Sequence, residues 1–100
     1  MDEYNVTISS AAQNDFLEIA ERIKMLPPEE ALQQFDNIIK KAGILSTAPE
    51  SCPSARDSQL RLRGYRMLII DDYIYFFVIL NSNVVIRRIL YAKRQYDRLM

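Results

Sequence analysis

The stretch at residues 64–91, GYRMLIIDDYIYFFVILNSNVVIRRILY, decides how this chain folds. Its apolar residues do not follow helical spacing. They run in short blocks, 64–70, 73–80 and 84–91, divided by Asp71-Asp72 and by Asn81-Ser82-Asn83. Asp and Asn tolerate left-handed backbone and bond their own main chain, so both dividers read as turns and the three blocks as consecutive antiparallel strands. Block 73–80 is apolar at both parities. That marks a central strand covered on both faces, because a strand with one wet face would alternate.

Upstream of this meander the pattern is helical. Ala12, Phe16, Ile19, Ala20 and Ile23 make an amphipathic stripe, with Ser9 or Ser10 placed to cap it. Pro27-Pro28 stops that helix and can open another, with Glu29 and Glu30 favourably placed in its first turn. Ala31, Leu32, Phe35, Ile38, Ile39, Ala42 and Leu45 repeat the spacing, and Gly43 or Ser46 ends it. Two helices so close in sequence form an αα-hairpin. Tyr4, Val6 and Ile8 alternate with polar residues and predict a short strand that joins the sheet at its edge. Residues 46–59, STAPESCPSARDSQ, carry two prolines and no period, and read as a loop; from Leu60 the period is two. Residues 93–100 form a basic tail with helical propensity. The expected architecture is α+β: N-terminal strand, αα-hairpin, three-stranded antiparallel meander, short C-terminal helix or tail. The hairpin should lay Phe16, Ile19, Ile23, Leu32, Phe35 and Ile39 on one sheet face.

With 100 residues and 49% hydrophobic side chains, residues 1–100 have room for one domain. One Cys cannot close an intrachain disulfide, and a small secreted domain usually needs several, so Cys52 points to a reducing, cytoplasmic setting. No stretch reads as a signal peptide or a membrane span. The chain has no His, which removes zinc fingers and HExxH chemistry, and its two glycines are too few for a phosphate-cradling loop. No metal and no small-molecule cofactor is expected.

Positive and negative charges balance at 13 each, but not locally. Residues 1–50 hold nine acids and four bases; residues 51–100 hold nine bases and four acids. The halves can attract one another within the fold, or the basic half can meet a polyanion or an acidic partner. Arg63, Arg87, Arg88 and Arg98 are the candidate RNA-contacting residues of that half. Arg87 and Arg88 interrupt an apolar strand and, in regular β structure, point to opposite faces. Tyr65, Tyr73, Tyr75 and Tyr91 could stack on bases, although tyrosines in a meander more often form core or cross-strand pairs.

The segment VTISSAAQNDFLEIAERI, a second helix, a Pro-containing loop, then LRGYRMLIIDDYIYFFVI and VVIRRILYAKRQYDRLM together resemble the RelE/ParE superfamily of type II toxin–antitoxin toxins, also called plasmid stabilisation proteins. The resemblance covers nearly the whole chain, and it rests on the ordered succession of pieces. It implies a growth-inhibiting bacterial toxin neutralised by a cognate antitoxin. RelE-like members enter the ribosome and cut mRNA, whereas ParE-like members inhibit DNA gyrase without cutting RNA. Cutting RNA through its 2′-hydroxyl needs a proton acceptor, cations for the charged phosphorane and a donor for the leaving oxygen. By resemblance the catalytic candidates are Arg66, Lys93, Arg94 and Tyr96: Arg66 matches a phosphate-stabilising arginine of ribonuclease members, Lys93-Arg94 a basic pair after the last strand, and Tyr96 a C-terminal tyrosine. Two departures count against cleavage. Tyr96 lies nearer Arg94 than in the RelE prototype, and the chain lacks the strong positive charge of many ribosome-acting members. The expectation taken here is ribosome-dependent mRNA cleavage, with gyrase inhibition as the alternative and a module that binds only its antitoxin as a third reading.

Overall fold

The computed structural model describes residues 3–92, and the meander is its centre. Strands β2 (Arg66–Ile70), β3 (Tyr73–Leu80) and β4 (Asn83–Tyr91) pair antiparallel, and β1 (Asn5–Ile8) joins the free edge of β4 in parallel, giving the order β1-β4-β3-β2. The turns use the residues the sequence offers: Asp71 at φ 54° and Asn81 at φ 57° supply the left-handed positions. Phe76 and Phe77, adjacent in β3, are both fully buried, one to each face, as expected of a doubly covered strand.

One face is covered by the helical hairpin. Helix α1 (Ser10–Lys24) begins at Ser9, whose hydroxyl accepts the Ala12 N–H at 3.2 Å and donates to the Arg87 carbonyl at 2.9 Å. One serine thus caps the helix and ties its start to β4. Ala12, Ile19 and Ile23 pack on Tyr75, Phe77, Val84, Ile86 and Ile89. Helix α2 (Pro28–Ala42) lies beside α1 and over β2, with Pro28 at its first turn, Glu29 and Glu30 near its positive end and Lys40 and Lys41 near its negative end. A single turn, α3 (Ile44–Thr47), inserts Leu45 into the same core.

The other face holds a second core of Ala55, Leu60, Tyr65, Met67, Ile74, Phe76, Val78 and Leu90. Here the structure corrects the reading of residues 46–62. Pro49–Ser51 form a 3-10 turn, and Ser58–Leu62 form helix α4, capped by the Asp57 carboxylate, which accepts the Leu60 N–H at 3.0 Å. The period of two therefore begins at β2 and not at Leu60; an Asp N-cap inside a polar run was the signal for a helix. The same segment covers the outer edge of β2, where Met67 N–H reaches Pro53 O and Ser54 bridges Arg66, so the strand is not left open for pairing along its first half.

Two packing expectations fail. Leu32 and Ile39 are 70% and 72% exposed; Ala31, Phe35, Ile38 and Ala42 face the core instead. The apolar stripe of α2 is wider than the surface beneath it, so only one flank is used, and none of its residues is fully buried. Phe35 itself is half-buried against the core. Val6 is 40% exposed because β1 is an edge strand with one neighbour. No helix among the described residues is long and apolar enough to cross a membrane.

Candidate functional site

Arg87 sits where the β3–β4 ladder slips: Phe76 pairs with Arg88 but Phe77 pairs with Ile86, leaving Arg87 as the extra residue of a β-bulge. The bulge breaks the alternation on which opposite orientations of Arg87 and Arg88 depend. Ile86 and Ile89, of opposite parity, both enter the helix-covered core, and Arg87 and Arg88 border one recess together. That recess has a volume of ≈ 440 Å³ and is lined by Ser9, Ser10, Ala11, Arg63, Tyr65, Arg87 and Arg88. Arg63, Tyr65 and Arg87 continue into an adjoining hollow beside Gly64 and the end of β3.

Each guanidinium has its own support. Arg63 ends α4 and lies over the Tyr65 ring, 5.5 Å from its centroid, a cation–π contact that orients it while leaving it exposed. Gly64, at φ +84°, makes the left-handed step from α4 into β2, and a Cβ there would meet nothing within 4 Å. A substitution at Gly64 therefore costs backbone strain of roughly 1–2 kcal/mol rather than a clash. Arg88 is held by Asp15 of α1: Nε donates to Oδ2 at 2.7 Å and Nη2 to Oδ1 at 3.2 Å, while the Ile89 N–H also donates to Oδ2 at 2.9 Å. β1 ends at Ile8, opposite Ile86, so Asp15 takes over where the β1 ladder stops and fills the next open donor on the β4 edge. The hydrogen bonds Arg88 donates to Asp15 raise its pKa, with burial opposing them and the negative charges of Asp15 and Glu18 adding to them. Arg88 is thus a fixed strut, and Arg63 and Arg87 are the exposed cations. Helix α1 starts at the recess, and its positive end adds to their field.

Arg66 is engaged elsewhere. It shares the helix-covered side of β2 with Leu68 and Ile70, whereas Tyr65 and Met67 belong to the second core. Its Nη1 donates to the Cys52 carbonyl at 2.7 Å and the Glu50 carbonyl at 3.2 Å, and the Glu50 carboxylate accepts the Tyr4 hydroxyl. Cys52 is buried; desolvation pushes its thiol pKa up, with Arg66 opposing. Arg66 pairs through Phe77 with Ile86, while the last strand leaves the sheet at Tyr91, opposite Tyr73 and Ile70. That separation is four residues along the sheet, about 13 Å. Lys93, Arg94, Tyr96 and Arg98 lie outside the described residues, so of the expected contacts the structure brings together Arg63, Arg87 and Arg88, and Arg66 stands apart from them.

The tyrosines divide. Tyr73 and Tyr91 are a T-shaped cross-strand pair, ring centroids 5.7 Å apart, and Tyr75 is buried with its pKa pushed up to about 12 by desolvation, then by Asp71 and Tyr73. Among the described tyrosines only Tyr65 borders the recess. Asp15 and Ser9 escaped the sequence reading as parts of this site. A carboxylate on the shoulder of an apolar helical stripe, four residues before Ile19, was the available signal for Asp15. Among the described residues, no three His, Cys, Asp or Glu side chains cluster to hold a metal ion. Two exposed guanidinium groups, a fixed third and a tyrosine face suit an anionic surface, whether carboxylate or phosphate.

Solved structures share this fold. The chromosomal ParDE toxin–antitoxin system from P. aeruginosa superposes with a TM-score of 0.69 at 17% identity, over 90% of this chain and 97% of that one. The RelBE2 toxin–antitoxin complex from Mycobacterium tuberculosis gives 0.60 at 23% identity, over 93% and 97%. YafQ from E. coli gives 0.53 at 11% identity, over 97% and 99%. No curated protein matches the chain in sequence. Residues 6–96 match the family described as the ParE toxin of the type II toxin–antitoxin system parDE, so the chain belongs to the ParE toxin family, within the RelE/ParE superfamily.

Proposed function

We propose that this toxin arrests growth by binding DNA gyrase, with the Arg63–Arg87 surface as its grip, and that it does so without cutting RNA. The observation that carries this reading is the position of Arg66. A guanidinium committed to two carbonyls, on the side of β2 away from Arg63 and Arg87, holds the 49–53 segment in place and is poorly placed to grip a scissile phosphate. This moves the balance from RNA cleavage, the expectation drawn from sequence, to its alternative. The match to the ParE family supports the same direction. A binding toxin needs no proton acceptor, only a cationic surface whose geometry is fixed in advance, and Tyr65, Asp15 and the β4 bulge supply that. The cognate antitoxin then acts in the cytoplasm by covering the grip, and an acidic antitoxin segment is the complement that Arg63 and Arg87 favour.

The test is expression in growing cells of the wild type, Arg63→Glu/Arg87→Glu and Arg66→Ala. The expected result is an induced DNA damage response with intact mRNA for the wild type, loss of arrest for the charge reversal, and retained arrest for Arg66→Ala at temperatures where it stays folded. Wild-type arrest with cut mRNA and no DNA damage response would return the assignment to a ribonuclease.

A further inference from the structure

The second face of the sheet is covered at one end only. Alternation along β3 turns Ile74, Phe76, Val78 and Leu80 to this face, and their exposure runs 5%, 0%, 9% and 53%. The core in which Ala55 and Leu60 lie over the sheet takes in the first three and stops before Leu80. On β4, Val85 pairs with Val78 and packs against the same core only in part, and Arg87 follows at the bulge. A hollow of ≈ 260 Å³ opens there, walled by Val78 and Leu80, by Tyr65, and by Arg63 and Arg87. No Asp or Glu lines this hollow or the recess it joins. Among the described residues, Arg63 and Arg87 make no ion pair. An exposed aliphatic side chain thus shares one concave wall with two cations that have no counter-charge beside them.

Resting on the gyrase reading above, we propose that this hollow docks a polypeptide segment of gyrase and not the DNA that gyrase holds: a segment in which an aliphatic or aromatic side chain is flanked by carboxylates. The apolar side chain takes Leu80 and the edge of Val78 out of water, and the carboxylates meet Arg63 and Arg87. A phosphate backbone could use the two cations but offers nothing to Leu80, which would stay wet beside it. Two cations are also too few for a duplex. Neutralising two phosphates gives log K a slope of only about −1.8 against log salt, where firm duplex binders make about 6–10 such contacts. Arg and Tyr are, by contrast, the side chains that anchor protein interfaces, in desolvated pockets closed by neighbouring apolar contacts. The Tyr65 ring under Arg63 lowers the cost of ordering that guanidinium on binding. In this arrangement the arginines fix the orientation of the segment, and Leu80 supplies the part of the affinity that salt does not screen.

The experiment measures binding of the labelled full chain, free of antitoxin, to purified gyrase without DNA and to relaxed plasmid without gyrase, from about 50 to about 300 mM salt, beside gyrase supercoiling. The wild type should bind DNA-free gyrase. Leu80→Asn, close in size but polar, should weaken that binding at least about tenfold at every salt concentration, and Leu80→Met should restore most of it. Both should keep the wild-type circular dichroism spectrum, since Leu80 is exposed. Ile69→Asn, equally exposed but opposite Ile74 at the other end of β3, should bind as the wild type does. Inhibited supercoiling by a chain that binds plasmid alone, or binds gyrase only when DNA is present, with Leu80→Asn indifferent, overturns the proposal and leaves the gyrase reading standing. No binding to gyrase and no inhibition overturns both. Gyrase binding that ignores Leu80→Asn while antitoxin binding is lost in it also overturns the proposal, and assigns the hollow to the antitoxin.

Discussion

Replacing Arg66 by Ala removes a side chain whose hydrogen bonds tie β2 to the 49–53 segment. Its Nη1 makes two bonds, at 2.7 Å to Cys52 O and 3.2 Å to Glu50 O. They are not equal. Glu50 is exposed, and water can replace the guanidinium at its carbonyl; Cys52 is 5% exposed, and its carbonyl has little access to a substitute. A hydrogen bond to a charged group contributes about 1.5–3 kcal/mol when the partner left behind is desolvated, so the loss should be about 2 kcal/mol. For a domain of this size that lowers Tm by roughly 8–16 °C. Arg66→Lys keeps one bond and the charge, and should lose about half as much. The assay is thermal unfolding followed by circular dichroism, run beside growth arrest at a temperature well below the variant's Tm. A catalytic Arg66 predicts the reverse: a rate falling about 100- to 1000-fold with stability untouched. An unchanged Tm together with abolished arrest would refute the structural role and the reading built on it.

Asp15→Ala removes the carboxylate that the Arg88 guanidinium and the Ile89 N–H share; with the Arg88 and Asp15 side chains 28% and 15% exposed the ion pair is only partly buried, so the cost should be about 2–4 kcal/mol in urea unfolding, with Asp15→Asn between that and wild type. Tyr75 stays protonated in the fold to a pKa of about 12 against 10.0 unfolded, so the folded state binds more protons between those values and stability falls as pH rises through them. The loss should approach roughly 2–3 kcal/mol at the upper end and should be absent in Tyr75→Phe, measured by urea unfolding from pH 9 to 12. Phe77→Ala, at a site with no exposure, should cost about 3–5 kcal/mol, and Phe35→Ala, half-buried under α2, clearly less. Equal costs would show that α2 is docked as firmly as the central strand.

Periodicity carried the elements whose register is repeated many times. The meander's turns announced themselves through Asp71 and Asn81, and the α1 stripe through five apolar residues at helical spacing. What escaped has a common physical cause: one residue or one bond decided it. A single extra residue at Arg87 reorients a strand, and periodicity averages such a slip away. Leu32 and Ile39 belong to the same apolar stripe as Phe35; only the width of the surface beneath separates used from unused. α4 is five residues long, too short for a period, and only its Asp57 cap could have revealed it. The candidate site was legible as a basic half of the chain. Its grouping was not, because Arg63, Arg87 and Ser9 meet from parts of the chain distant in sequence, and Arg66, adjacent to Tyr65, faces away from them.

The most direct measurement uses the purified chain at one concentration in two reactions, gyrase supercoiling of relaxed plasmid with ATP, and translation of a defined mRNA on ribosomes with its 3′ ends mapped. Inhibited supercoiling with unaltered mRNA ends, both unchanged by Arg66→Lys and the first lost in Arg63→Glu/Arg87→Glu, is the predicted result. New mRNA ends that depend on ribosomes and on Arg66, with supercoiling unaffected, would contradict it.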